Sequence, residues 1–278
     1  MLQALARYHY LTAEQVRRLL YGAGSLTYVR ERLKGLVDAR FIERLEMPHP
    51  SRTGSAPNVF RLAARGHRFL EELGLHPVRL PGERPASYLY YRHTLALNDA
   101  LIAAELLTRS HPQLSIARLV HERELKHRPV KVRLASGKTV SVIPDAYLQL
   151  HEAEAVGPGY WRDLVWELDN STAEQRDFRQ KIAALVAYAH GPYREAMGAA
   201  SITIAILTPQ ADRRANDLIA WIEAELTTLG QPAAGEWFCV RGVDPSAVSP
   251  EELLLASAWR QPFRAQQVPL IPLGEEPS

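Results

Sequence analysis

Residues 162–190 read RDLVWELDNSTAEQRDFRQKIAALVAYAH. The first eight form a strand built around the apolar run LVWEL, and from residue 172 Phe178, Ile182 and Leu185 recur at helical spacing. A strand's period of two puts Glu167 and Asp169 on one face at the point where it hands over to the helix. A glutamate inside an apolar run is costly to bury unless a charged partner or a metal meets it. The plainer alternatives are surface charge for both residues and, for Asp169, a cap on the helix that follows Asn170-Ser171-Thr172.

Working outward, residues 139–150 (TVSVIPDAYLQL) and 115–125 (SIARLVHEREL) read as two further strands. Ser136-Gly137-Lys138 makes a turn between them, and Gly157-Pro158-Gly159 breaks the connection to residue 162. Pro144-Asp145 then lies in the second strand, where Asp145 can meet Glu167 and Asp169 across a neighbouring strand. A long amphipathic helix over 93–109 precedes these strands; an apolar strand over 201–207, a helix over 212–229 and a strand over 236–240 follow. A mixed sheet between helices is expected.

The N-terminal stretch has a different character. Thr12 with Gln15 is a capping-box pattern opening a short helix. Gly22 and Gly24 break it, and Ser25 opens a second helix with the stripe Leu26, Val29, Leu33, Leu36 and Val37. Strands at 41–45 and 58–62 flank the tip MPHPSRTGSAP, and a last helix covers 63–73. Helix, helix, strand, tip, strand, helix resembles the order of bacterial winged-helix DNA binders. That resemblance implies a recognition helix over 26–39 carrying Thr27, Tyr28, Glu31 and Lys34 outward, with Arg30 and Arg32 flanking, and Arg52 with His49 on the hairpin tip contacting phosphate or the minor groove. The alternative is a winged helix that docks against protein.

Composition supports a division. Up to residue 76 there are 12 Lys+Arg against 7 Asp+Glu; beyond it 21 face 24, a basic part before a mildly acidic one. The expected layout is a winged helix-turn-helix domain over 1–76, a Pro-rich linker over 77–87, an α/β domain over 88–265 and an extended tail over 266–278, an α+β chain. One cysteine, Cys239, excludes an internal disulfide and a multi-thiolate zinc site. No HExxH or GxxxxGK[ST] pattern is present. No signal-peptide order or spanning apolar run is seen, so a cytoplasmic protein is expected.

Helix, three strands, helix, strand resembles the core of the PD-(D/E)XK nucleases, with Asp145, Glu167 and Asp169 as the expected metal ligands. Mg²⁺ (or Mn²⁺) favours hard oxygen ligands with waters retained, which two or three carboxylates at a sheet edge provide. The nuclease motif has lysine two residues beyond the glutamate, where this chain has Asp169. Resemblance to superfamily members with the lysine displaced onto the next helix nominates Lys181. The whole layout, with PDAYLQL, VWELDNST and FRQKIAALVAY, looks like the replication-relaxation family of plasmid and mobile-element proteins. It implies double-stranded DNA as partner, other replication or mobile-element proteins beside it, and a homodimer as one option. Two functions compete: metal-dependent cleavage or nicking of DNA, with Asp145, Glu167, Asp169 and Lys181 at the reacting centre, or a catalytically inactive DNA-binding regulator or replication accessory that keeps the nuclease fold for dimerisation or docking.

Overall fold

The capping box forms: the Thr12 hydroxyl accepts from the Gln15 amide and the Gln15 side chain accepts from the Thr12 amide. In the computed structural model, which describes residues 1–46, 57–75, 87–154, 157–170, 174–210 and 212–274, this box starts the second helix of the first of two units, Met1–Ile102 and Ala103–Ser278. The first unit runs α1 (Leu2–Tyr8), β1 (Leu11–Thr12), α2 (Ala13–Leu20), α3 (Leu26–Asp38), β2 (Ile42–Leu45), β3 (Val59–Leu62) and α4 (Ala64–Glu72). β3 sits between β1 and β2, antiparallel to both. Leu5, Val16, Leu19, Val29 and Leu33 are buried, each worth roughly 2 kcal/mol of removed apolar surface. Gly66 is where α4 meets the chain before β2: a Cβ there would lie 2.2 Å from the Phe41 carbonyl oxygen. The hairpin tip, with His49 and Arg52, and residues 76–86 of the linker lie outside the described residues.

α5 (Tyr88–Ser110) starts earlier than its periodicity suggested, and the division between the units falls within it. Its first part is tied to the first unit by buried polar contacts. Asn98 donates to the Tyr8 and Tyr10 carbonyls at 3.1 and 2.6 Å, and Gln15 donates to the Leu95 carbonyl at 2.8 Å. Arg18 pairs with Asp99 at 2.6 Å.

The second unit continues with β4 (Leu114–His121), α6 (Glu122–Leu125), β5 (Val130–Arg133), β6 (Thr139–Val142), β7 (Ala146–Glu152), β8 (Tyr160–Leu168), α7 (Gln175–Ala189), α8 (Pro192–Met197), β9 (Thr203–Thr208), α9 (Asp212–Thr228), a 3-10 turn at Pro232–Trp237, β10 (Phe238–Gly242) and α10 (Pro250–Leu254). A five-stranded mixed sheet has the order β10-β9-β8-β7-β4: β8, β9 and β10 are parallel, and β7 is antiparallel to β8 and β4. Tyr147 of β7 and Val165 of β8 enter one core with Phe178, Ile182 and Leu185 of α7 and Leu218 and Ile222 of α9.

Three expectations are corrected. Residues 139–150 form two strands because Pro144 interrupts the ladder; Pro144-Asp145 therefore joins β6 to β7 and does not lie within a strand. Residues 122–125, expected as the end of the strand over 115–125, are a helical turn, and His121 at the end of β4 is buried. The tail does not run free after residue 266: Val268 bridges Trp259, Leu270 and Ile271 are buried, and Gly274 donates to Glu152 at 2.8 Å.

Candidate functional site

The site grows from one register. Ala146 faces Trp166 across the antiparallel β7–β8 pair, and the Asp145 amide donates to the Trp166 carbonyl at 3.1 Å. Asp145, just before β7, therefore comes beside Glu167 near the end of β8, close enough for the two carboxyl groups to act on each other. Both are buried, with 7% and 3% of their surface exposed. The Asp145 Oδ2 accepts from the Leu168 amide at 2.8 Å, which fixes the carboxylate beside its neighbour.

α7 supplies the counter-charge. Phe178, Ile182 and Leu185 anchor the helix on the sheet, and Lys181, one position before Ile182, lays its ammonium against Glu167 Oε2. Among the described residues, neither Glu167 oxygen has a hydrogen-bond donor of regular geometry. Burial, the largest influence, raises the Glu167 pKa, Asp145 raises it further, and Lys181 pulls the other way. For Lys181, burial works against the charge, but Glu167 and Asp145 outweigh it and hold the ammonium protonated well above neutrality.

Asp169 takes another course. Its amide donates to the Leu207 carbonyl at 2.8 Å, and its carboxylate receives a two-pronged Arg214 contact from α9 at 2.7 and 3.0 Å. Asp145, Glu167 and Lys181 thus come together, while the Asp169 carboxylate, near enough to add to the acidic influence on Lys181, is paired with Arg214. Arg214, which stacks 4.7 Å from the Trp221 ring centre, was not legible from sequence: nothing local marks it as the partner of a residue 45 positions earlier. Glu105 on α5 pairs with Arg109 at 3.0 Å.

Beside the cluster lies a cavity of about 500 Å³, lined by Glu167 and Lys181 and by residues of the β5–β6 hairpin including Lys138, Ser141 and Val142. Among the described residues no group of three or more His, Cys, Asp or Glu side chains could hold a metal ion. The donor set that fits a divalent cation is therefore the pair Asp145 and Glu167, two buried carboxyl groups with hard oxygens beside the cavity, with Lys181 against one of the Glu167 oxygens. Mg²⁺ uses sites of this kind, one or two carboxylates with waters and a phosphate completing the shell.

In the first unit, Thr27, Tyr28, Arg30, Glu31, Arg32 and Lys34 are all exposed on α3, opposite the buried Val29 and Leu33. Arg32 lies 5.9 Å from the Tyr28 ring centre, and Lys34 pairs with Asp38 at 2.9 Å. In β10, Cys239 is a buried thiol whose pKa burial pushes up to about 12, so it carries no thiolate chemistry.

A family model described as replication-relaxation matches residues 2–202, a stretch that contains α3, Asp145, Glu167, Asp169 and Lys181 but not Arg214. Neither curated proteins nor solved structures give a significant match. No helix among the described residues is long and apolar enough to cross a membrane.

Proposed function

The chain belongs to the replication-relaxation family, and from that premise we propose that it acts on DNA in plasmid or mobile-element replication or relaxation, cutting or nicking phosphodiesters at Asp145, Glu167 and Lys181. The observation that carries the reading is Lys181, which leaves an exposed helix face to meet a buried glutamate beside a buried aspartate. An arrangement that keeps two carboxylates and an ammonium together under an open cavity is poorly explained by stability, since such charges are desolvated at a cost. It matches the PD-(D/E)XK reading, with the lysine on α7 in place of the strand position.

Asp145 and Glu167 would hold a divalent cation, Mg²⁺ or Mn²⁺. Such an ion polarises the phosphoryl oxygen and lowers the pKa of an attacking water. The chain's own residues do the rest. The Leu168 amide holds Asp145 in place; the Lys181 ammonium, kept protonated by its acidic neighbours, offsets charge growing on the phosphoryl oxygens or orients the water. Asp169 takes no part in ligation and secures the end of β8 to α9. In the same reading the first unit is a winged helix whose α3 enters the major groove, with Thr27, Tyr28, Arg30, Arg32 and Lys34 as the reading face and Arg52 on the tip.

The test is supercoiled plasmid incubated with the protein and Mg²⁺ or Mn²⁺. Nicked or linear product that disappears with Asp145→Ala, while DNA binding persists, is the expected result. Intact plasmid throughout would leave the second reading, a catalytically inactive DNA-binding regulator or replication accessory. The observation favouring that alternative is the Asp169–Arg214 pair, which fills the usual lysine position with a group committed to structure.

A further inference from the structure

Residues 126–144 contain five cations, Lys126, Arg128, Lys131, Arg133 and Lys138, and no carboxylate. Most of them ride on the β5–β6 hairpin. Val132 and Val142 point into the core shared with α7. The period of two then sends Lys131 and Arg133 outward, and the register places Ser141 and Thr139 opposite them. Lys138 closes the loop next to Gly137, whose φ of +81° is the left-handed conformation this turn needs. All five of these outward residues are exposed. Lys126 pairs with Glu122 at 2.6 Å, but Arg128, Lys131, Arg133 and Lys138 have no ion-pair partner among the described residues.

We infer that the outer face of this hairpin is a second DNA contact, separate from α3, which holds the phosphate backbone of a duplex at the rim of the cavity lined by Glu167 and Lys181. The inference rests on reading that cavity as a phosphodiester site. Two cations two residues apart on a strand are about 7 Å apart, and hydroxyls stand between them and their neighbours. Such a row suits successive phosphates better than one small anion, because Lys, Arg, Ser and Thr are the side chains that hold a nucleic-acid backbone without reading sequence. The hairpin also reaches the site: Lys138 and Ser141 line the same cavity as Glu167 and Lys181. A second cavity of about 500 Å³ is lined by Ser136 with Gln175, Arg176 and Arg179 of α7 and by Glu225, which pairs with Arg179 at 2.8 Å. An anionic membrane is the less suitable partner, since the outer face offers no large apolar side chain to insert between lipids.

The chain has five lysines, Lys34, Lys126, Lys131, Lys138 and Lys181, so amine acetylation read by mass spectrometry reports each surface separately. With the full chain and duplex DNA, labelling of Lys131 and Lys138 is expected to fall several-fold, and phosphatidylserine vesicles are expected to leave it unchanged. Undiminished labelling with DNA bound, or protection by vesicles and not by DNA, overturns the inference. Replacing Lys131, Arg133 and Lys138 together by alanine removes only exposed side chains, and should reduce the slope of log affinity against log salt by between about two and three; an unchanged slope also overturns it. Protection without metal-dependent strand breaks retains the hairpin contact and defeats the cleavage reading. Strand breaks without protection do the reverse.

Discussion

Lys181 and His121 show how burial and charge act on single side chains in opposite ways. Lys181 sits against Glu167, beside Asp145, and keeps its proton. Replacing it by methionine, which preserves the aliphatic stem, is expected to lower the rate of DNA cleavage by at least about a hundredfold, the scale of losing one preorganised electrostatic contact. DNA affinity in a gel-shift assay should change by less than about threefold, on the same grounds that the ammonium acts on developing charge. Equal losses of affinity and rate would make Lys181 a general anchor. His121 is buried, and desolvation lowers its pKa from 6.5 to about 4. Above pH 6.5 the ring is neutral in both folded and unfolded chains, and its share of stability is fully present. As the pH falls from 6.5 toward 4 the unfolded chain gains a proton that the folded chain refuses, so stability drops by on the order of 3 kcal/mol. Urea midpoints should therefore fall more steeply over this window in the native chain than in His121→Phe; parallel curves would contradict the assignment. Glu167 acts with the opposite sign but is common to both proteins.

At the scale of elements, the end of β8 is held by two different devices. Asp145 is fixed by a backbone amide, whereas Asp169 is fixed by Arg214 from α9. Arg214→Ala leaves a buried carboxylate without its cation and is expected to cost roughly 3 kcal/mol in urea unfolding. Adding Asp169→Asn should recover part of that loss; additive costs would mean that the pair is not coupled. In α3, Arg30→Ala with Lys34→Ala should weaken DNA binding and reduce its salt slope by about two, with no change in cleavage of already bound DNA. An unaffected footprint would remove α3 from the contact. Strong periodic segments were legible in the sequence: α7, α9, β9 and the Thr12 capping box follow from local spacing alone. Asp145 does come beside Glu167, but from the link between β6 and β7 and not from within a strand as the spacing suggested. What escaped depends on distance or on a single breaking residue. Pro144 split one expected strand into two, residues 122–125 coiled where alternation suggested extension, and Asp169 was captured by an arginine from a helix far along the chain. The β5 strand was hidden because VKVR is short and its Val residues bury against α7, a packing that four residues cannot announce.

For the whole molecule, charge and chemistry are divided between the two units. The basic excess up to residue 76 lies in the first unit, while the second, mildly acidic in sum, carries a run of cations without a carboxylate over residues 126–144 and the buried Asp145 and Glu167 near one end of β8. A net charge of +2 conceals both features, because attraction to a polyanion depends on where charges stand. Family membership covers both the α3 face and the Asp145–Glu167–Lys181 cluster, so the same matched stretch carries the proposed reader and the proposed cutter. The central claim is that Asp145 and Glu167 jointly chelate a divalent cation. Calorimetric titration of Mn²⁺ into the full chain tests it most directly: one ion should bind per chain, and binding should vanish with Glu167→Gln in a protein whose unfolding midpoint is retained. No heat of binding in the native chain, or equal binding by the variant, would contradict it.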